Sequence, residues 1–436
     1  MKLKIKLNEG ITAMLSLTMV NALNYGLNII LGRWLGPDLY AGANILATLV
    51  LILSFIGVSI QMFITSEIAP LKTKEETPFM FHYLNGKVFK LSLFLLIISV
   101  GSSFAIFKYL NFSQPYEIVI LAIGIPFYFL LSSKRGYFQG LQDFKSFANT
   151  FIIECFSRII ITVIGIYYAL SFAPNHILIF ISLGFLISFI VPVVINKIKN
   201  PPYSKALKPD VDWNKVLIFI LAISFYELSQ ILINNFDVIL VKHYFDNKEA
   251  GLYSAVAMVG RIVYFGTWTV VTILFPKVIE KEKLGENHLG LLKSAFLLVM
   301  LFGTSITLFA YFNGEFIISL LFGNLFHDAS SLLWKYAAAT SIFACANVIV
   351  YYFMSLKKYV PIFFSLLFGC LQIMGIMQYH SNVDQIIMVQ LICMSSLFIW
   401  LLLYLFGNSI FPYTGISWRL FLNKLKFLRG ISFYSK

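Results

Sequence analysis

Long apolar stretches run from one end of the chain to the other, separated by short clusters of polar and basic residues. Residues 39–66 contain no Asp, Glu, Lys or Arg, and neither do residues 159–196. A helix that crosses a bilayer needs about 20 mainly apolar residues. On that basis the pattern predicts twelve spans, near 10–32, 41–68, 86–107, 117–133, 146–170, 175–196, 214–241, 250–275, 290–312, 329–355, 359–379 and 385–408. The run after the basic start MKLKIKLNEG lacks a small-residue cleavage site and continues to full span length. It is therefore read as the first helix rather than a removed leader.

Composition agrees: 59% of the 436 residues are hydrophobic and 12% charged, against about a quarter charged in soluble domains. The expectation is an all-α polytopic membrane protein with no soluble domain. Basic residues collect on the cytoplasmic side of membrane proteins. With the N-terminus placed inside, 26 of the 33 Lys and Arg fall on inner segments, Lys134 and Arg135 among them. Four lie outside (Arg33, Lys108, Lys242 and Lys248), and Arg158, Arg261 and Lys335 lie in or at the edge of spans. This split predicts both termini in the cytoplasm, and the net charge of +13 mostly reports that topology. The lysines are scattered, so no nucleic-acid partner is expected. Cys155, Cys345, Cys370 and Cys393 fall in apolar spans, the histidines do not cluster, and no phosphate-binding loop or hydrolase motif is present. Neither a metal nor a cofactor is expected, and the chain reads as a non-enzyme.

The two halves echo each other. NIILGRWLGPDLYAGANILATLVLIL from Asn28 aligns without a gap on DVILVKHYFDNKEAGLYSAVAMVGRI from Asp237, at an offset of 209. Ala41/Ala250 and Gly42/Gly251 are identical in that alignment, and Arg33/Lys242 are both basic. Six spans per half make the repeat parallel. The expected organisation is a six-helix lobe at 1–197, a basic linker at 198–213, a second six-helix lobe at 214–408 and a basic interfacial tail at 409–436. Bodies of this kind commonly bind substrate between their halves and expose it alternately to each face.

Polar residues inside the spans mark candidate sites. Glu227, Gln230, Asn234 and Asp237 follow a helical spacing that keeps them within about 80° of one face, and Asn21, Asn24 and Asn28 form a matching stripe on the first span. Asparagine and glutamine either glue helices together or line a wet cavity. A charge costs about 2.5 kcal/mol or more at the bilayer centre and tends to mark a pathway, so the stripe ending in carboxylates favours the cavity. Arg158 follows Glu154 by four residues, which allows a local ion pair or a functional arginine. Arg261 is either stapled to Asp237 or faces the cavity, where its planar fork suits phosphate or carboxylate. Lys335 has the length to snorkel to the outer surface. Pro126 and Pro361 are expected to break helices.

ILGRWLGPDLYAGANILATLVLILSFIGVSIQMFITSEIA, DVILVKHYFDNKEAGLYSAVAMVGRIVYFGTWTVVTILFPKV, KRGYFQGLQDFKSFA and GEFIISLLFG resemble segments of the bacterial polysaccharide transporters of the multidrug/oligosaccharidyl-lipid/polysaccharide superfamily, the Wzx-type O-antigen flippases. The resemblance implies two pseudo-symmetric six-helix lobes and a lipopolysaccharide-pathway role: carrying an undecaprenyl-diphosphate-linked oligosaccharide across the inner membrane. It implies Arg261 and Arg158 as holders of the anionic headgroup. Asn21, Asn24, Asn28, Gln230 and Asn234 would contact sugar hydroxyls, and Asp237, Glu227 and Glu154 would serve ion or proton coupling. The expected partners are the lipid-linked substrate, membrane lipids and other polysaccharide-assembly proteins. Drug exporters of the superfamily use an acid on the first helix, where this chain has Asn28. Two alternatives stay open, a cation-coupled multidrug exporter and a membrane polysaccharide polymerase or ligase. The outward connections are too short for the catalytic loop that such an enzyme carries, the longest being 313–328.

Overall fold

A computed structural model of the chain describes residues 2–71, 76–112, 114–198, 213–356 and 358–410. Among them there is no β-strand. The helices are α1 Lys2–Ile68, α2 Glu76–Tyr109, α3 Tyr116–Ile123, α4 Ile125–Gly140, α5 Phe144–Phe172, α6 Ile177–Ile195, α7 Trp213–Tyr244, α8 Asn247–Gly260, α9 Ile262–Lys283, α10 Leu289–Phe322, α11 Ser330–Ser355, α12 Val360–Gln378 and α13 Val383–Ile410. Among the described residues nine helical stretches are long and apolar enough to cross a membrane, one of them the 55-residue run Met14–Ile68. At about 1.5 Å per residue that run is far longer than the ~30 Å hydrocarbon layer. It is divided at Gly36, whose φ of 68° is open to glycine but costly for other residues. Pro37 then opens the second segment, where its missing N–H would have no helical acceptor in any case. The expected seventh and eighth spans fall on α7 and on α8–α9. The fold is that of an all-α, multi-pass membrane protein.

Several expectations need correcting. The spans expected at 117–133 and 250–275 are interrupted at Gly124 and Arg261, although Tyr116–Gly140 still forms one apolar stretch long enough to cross a membrane. Pro126 sits in the first turn of α4 just after its break, whereas Pro361 opens α12 and breaks nothing. The connection expected at 313–328 is largely helical. α10 kinks at Asn313 (φ −127°, ψ 21°), continues to Phe322, and is followed by a 3-10 turn over Asn324–Ala329. Most of the expected linker (199–212) and of the tail (from 411) lies outside the described residues.

By contact the chain forms two compact units, one of Met1–Met258 with Asn313–Ser331, the other of Val259–Phe312 with Leu332–Lys436. This partition assigns α7 to the first unit, whereas the partition expected from the repeat starts a new lobe with it. In the first unit α1 is the central element, packing on α4, α5 and α7, while α5 packs along α6 and α2 along α3 and α4. In the second unit α12 packs along α13. Phe94, Ile97 and Phe104 of α2 and Ile160, Ile164 and Tyr167 of α5 are exposed. On a soluble protein such surfaces would drive association; here they are the faces that meet acyl chains.

The two segments aligned in the sequence each contain a helix break. At the offset of 209, the break at Gly36 corresponds to the turn between α7 and α8. The paired glycines both stand at close helix contacts. A Cβ on Gly42 would overlap the Leu178 side chain, and one on Gly251 would overlap the Pro37 carbonyl.

Candidate functional site

The first unit holds a cluster of charges on its membrane helices. The turn after α4 returns the chain sharply, with Gln142 at φ 57° and the Asp143 carboxylate accepting the Ser146 N–H at 3.0 Å to cap α5. This hairpin lays the end of α4 beside the start of α5 and brings Arg135 against Thr150 and Glu154. Arg135 donates from Nε to the Thr150 hydroxyl at 3.2 Å and from Nη2 to Glu154 Oε2. Its guanidinium lies 3.5 Å from the centroid of the Phe151 ring. One turn further along α5, Arg158 donates from Nη2 to the other Glu154 oxygen and from Nη1 to Asn24 Oδ1, the latter at 3.2 Å, over the Phe185 ring. Glu154 therefore bridges two guanidinium groups, one oxygen to each.

The two arginines are not equivalent. The Arg135 side chain is 5% exposed and that of Arg158 13%, about the same as Glu154 at 12%. Arg158 Nε is buried and finds no acceptor among the described residues. Counting charges, two guanidinium groups face one carboxylate, so the cluster carries a net positive charge inside an apolar bundle.

The remaining expected residues distribute as follows. Asn24 is part-buried and joins the cluster directly; Asn28 donates to the Asn24 carbonyl at 3.0 Å, and Asn21 is exposed. On α7, Gln230, Asn234 and Asp237 are buried and Glu227 is part-buried. Asn234 donates to the Gln230 carbonyl at 3.0 Å, and its own Oδ1 is buried with no partner among the described residues. Asp237 accepts the Tyr253 hydroxyl at 2.7 Å. In the second unit Arg261 donates from Nε to the Tyr336 hydroxyl at 3.0 Å. The helix break that presents Arg261 has a local cause. Gly260 packs closely beside the Tyr336 ring, and the Thr340 hydroxyl donates to the Gly260 carbonyl at 2.8 Å, giving that carbonyl a side-chain partner.

Sequence reasoning missed three participants. Arg135 was counted with the basic residues of an inner loop but is 4% exposed and belongs to the cluster. Nothing in SSKRGYF distinguishes it from Lys134 beside it, which instead donates to the carbonyls of Val193 and Asn196 at the end of α6. Lys242, expected in an outer loop, is 3% exposed and bonds to Asn247. Glu117, 1% exposed in the first turn of α3, lies within electrostatic reach of it. Lys335, expected to snorkel to the outer surface, bonds to the half-exposed Asp384 at 2.5 Å.

The model of a family described as polysaccharide biosynthesis protein matches residues 7–280. No curated protein sequence matches the chain. Several solved structures share its fold. A multidrug resistance MATE family transporter of the MOP superfamily, in an inward-facing conformation, superposes with a TM-score of 0.74 at 12% identity, over 91% of this chain and 99% of its own. The lipid II flippase MurJ, in an inward closed conformation, gives 0.71 at 14% identity, over 91% and 87%. The MATE multidrug transporter DinF-BH gives 0.60 at 15% identity, over 93% and 95%.

Proposed function

The chain belongs to the polysaccharide biosynthesis protein family, and from that premise we propose that it is a flippase for an undecaprenyl-diphosphate-linked oligosaccharide. On this reading it moves an O-antigen or other surface-polysaccharide repeat unit across the bacterial inner membrane by alternating access, with both termini in the cytoplasm. The observation that carries the reading is a pair of unsatisfied polar atoms inside membrane helices. The buried Nε of Arg158 is a donor, the buried Oδ1 of Asn234 an acceptor, and neither has a partner among the described residues. Buried polar atoms left unpaired cost about 1–3 kcal/mol each, so their retention calls for an explanation. An anionic group would give Arg158 Nε an acceptor, and a sugar hydroxyl would give Asn234 Oδ1 a donor.

Residue roles follow from chemistry. Arg158 in the first unit and Arg261 in the second each offer a guanidinium fork that matches the oxyanion of a diphosphate or an acidic sugar. Asn21, Asn24, Asn28, Gln230 and Asn234 contact sugar hydroxyls. Asp237, Glu227 and Glu154 are the carboxylates available for coupling to protons or another cation. The lipid tail stays among the membrane lipids, against the apolar outer faces, and other polysaccharide-assembly proteins supply and consume the substrate. The similarity to the lipid II flippase supports this through shared fold. The similarity to the multidrug transporters keeps drug export as the competing cargo.

The test is complementation of a host lacking the gene with the wild-type chain, Arg261→Ala and Arg261→Lys. The expected result is restored surface polysaccharide with the wild type and accumulated lipid-linked repeat units with Arg261→Ala. Normal surface polysaccharide in the host lacking the gene, together with its sensitisation to cationic dyes, would replace the flippase reading with drug export.

A further inference from the structure

Resting on the flippase reading, the geometry points to Glu154 as an internal stand-in for the substrate's anion, which an arriving phosphate or carboxylate displaces from Arg158.

The inference comes from how the cluster divides its hydrogen bonds. A carboxylate facing one guanidinium commonly accepts two parallel bonds from it. Glu154 does not. It spreads its oxygens over two arginines and takes a single nitrogen from each, Arg135 Nη2 and Arg158 Nη2. Arg135 has other partners that hold it in place, the Thr150 hydroxyl and the Phe151 ring. Arg158 is held less completely. Its Nη1 reaches Asn24 at 3.2 Å, its Nε finds no acceptor among the described residues, and its side chain is more than twice as exposed as that of Arg135, at 13% against 5%. The edge of Arg158 formed by Nε and Nη2 is therefore half used. An oxyanion that took that edge bidentately would satisfy the orphan Nε and release one oxygen of Glu154, while Arg135 would keep the other.

Two guanidinium groups with no counter-charge are costly in a membrane interior. Glu154 offsets that cost, and because it sits one turn from Arg158 on α5 it is always at hand. It also sets selectivity. A ligand must offer more than one negative oxygen in fork geometry to compete with a tethered carboxylate, which disfavours chloride and neutral lipids. A diphosphate and a uronic acid share that chemistry.

Binding to the purified full-length protein in detergent tests the inference, with inorganic pyrophosphate, glucuronate and undecaprenyl diphosphate as separate probes. Removing the competitor in Glu154→Gln is expected to tighten pyrophosphate binding about tenfold, equal to ~1.4 kcal/mol. Adding Arg158→Gln to that variant is expected to abolish the gain. If glucuronate responds and pyrophosphate does not, the anion mimicked is a sugar carboxylate. Equal or weaker binding of every probe by a folded Glu154→Gln protein would overturn the inference and leave Glu154 a structural bridge. Should that variant not fold, Glu154→Asp serves: its shorter side chain loses the reach to both arginines at once, so binding must again tighten, and unchanged affinity is equally fatal. If pyrophosphate responds as expected but undecaprenyl diphosphate binds neither protein, Glu154 keeps its role and the lipid-linked substrate of the flippase reading falls.

Discussion

Tyr253 on α8 donates its hydroxyl proton to the Asp237 carboxylate on α7 at 2.7 Å, and both side chains are wholly buried. The two helices meet through a short turn, so this bond ties the polar end of α7 to its neighbour. Taking away the donor removes a hydrogen bond from a buried carboxylate, at a cost of about 1–3 kcal/mol. Tyr253→Phe should melt earlier than wild type in a detergent unfolding assay, and Asp237→Asn, which keeps an acceptor, should lose less. Identical melting of Tyr253→Phe and wild type would show that the bond contributes nothing.

Arg135 is expected to be the structural anchor of the charge cluster. Deleting one partner of a buried ion pair typically costs about 3–5 kcal/mol, because the other is left buried and uncompensated. Glu154 retains Arg158, so Arg135→Gln should sit at the lower end, about 3 kcal/mol. The double variant Arg135→Gln/Glu154→Gln should be more stable than the sum of the single changes implies. A double-mutant cycle read by thermal melting reports that coupling.

Close helix contact makes Gly251 irreplaceable. Its Cβ would overlap the Pro37 backbone, whereas a Cβ on Gly26 meets nothing within 4 Å. Gly251→Ala should lose about 1–3 kcal/mol through overpacking. Gly26→Ala should be neutral or gain up to ~1 kcal/mol from helix propensity. Melting temperatures of the two variants decide the matter.

Tyr336 joins packing and positioning in the second unit. Its ring lies against Gly260 and its hydroxyl accepts from Arg261 at 3.0 Å. Tyr336→Phe keeps the ring, so it should fold with little change in melting temperature. It removes the acceptor that orients Arg261, so export of lipid-linked repeat units should fall severalfold, toward the level of Arg261→Ala. Full transport by Tyr336→Phe would mean that the hydroxyl does not position Arg261 for transport.

Much of the fold was legible in the sequence because the bilayer constrains it one residue at a time. A span must be apolar for about 20 residues, and each of the twelve expected spans falls on helix. Helix breaks were harder to see. The break at Gly36 falls in the gap expected between the spans at 10–32 and 41–68, but the surroundings of Arg261 include Thr340 and Tyr336, both some eighty positions away or nearly so. In the charge cluster, Glu154 and Arg158 were legible as an i,i+4 pair on one helix. Arg135 was not, since it reaches them only through the α4–α5 hairpin.

The sequence by itself determined that this chain crosses the membrane many times and keeps ionisable residues within its helices, because hydropathy and residue type are properties of residues taken singly or at fixed helical spacing. The tertiary structure alone decided which charges meet. Arg135 left an expected loop for the Glu154 carboxylate, Lys242 became buried beside Asn247, and the Arg158 Nε stayed without an acceptor among the described residues. Hydrogen bonds act over about 3 Å, so partners far apart in sequence are set by helix packing.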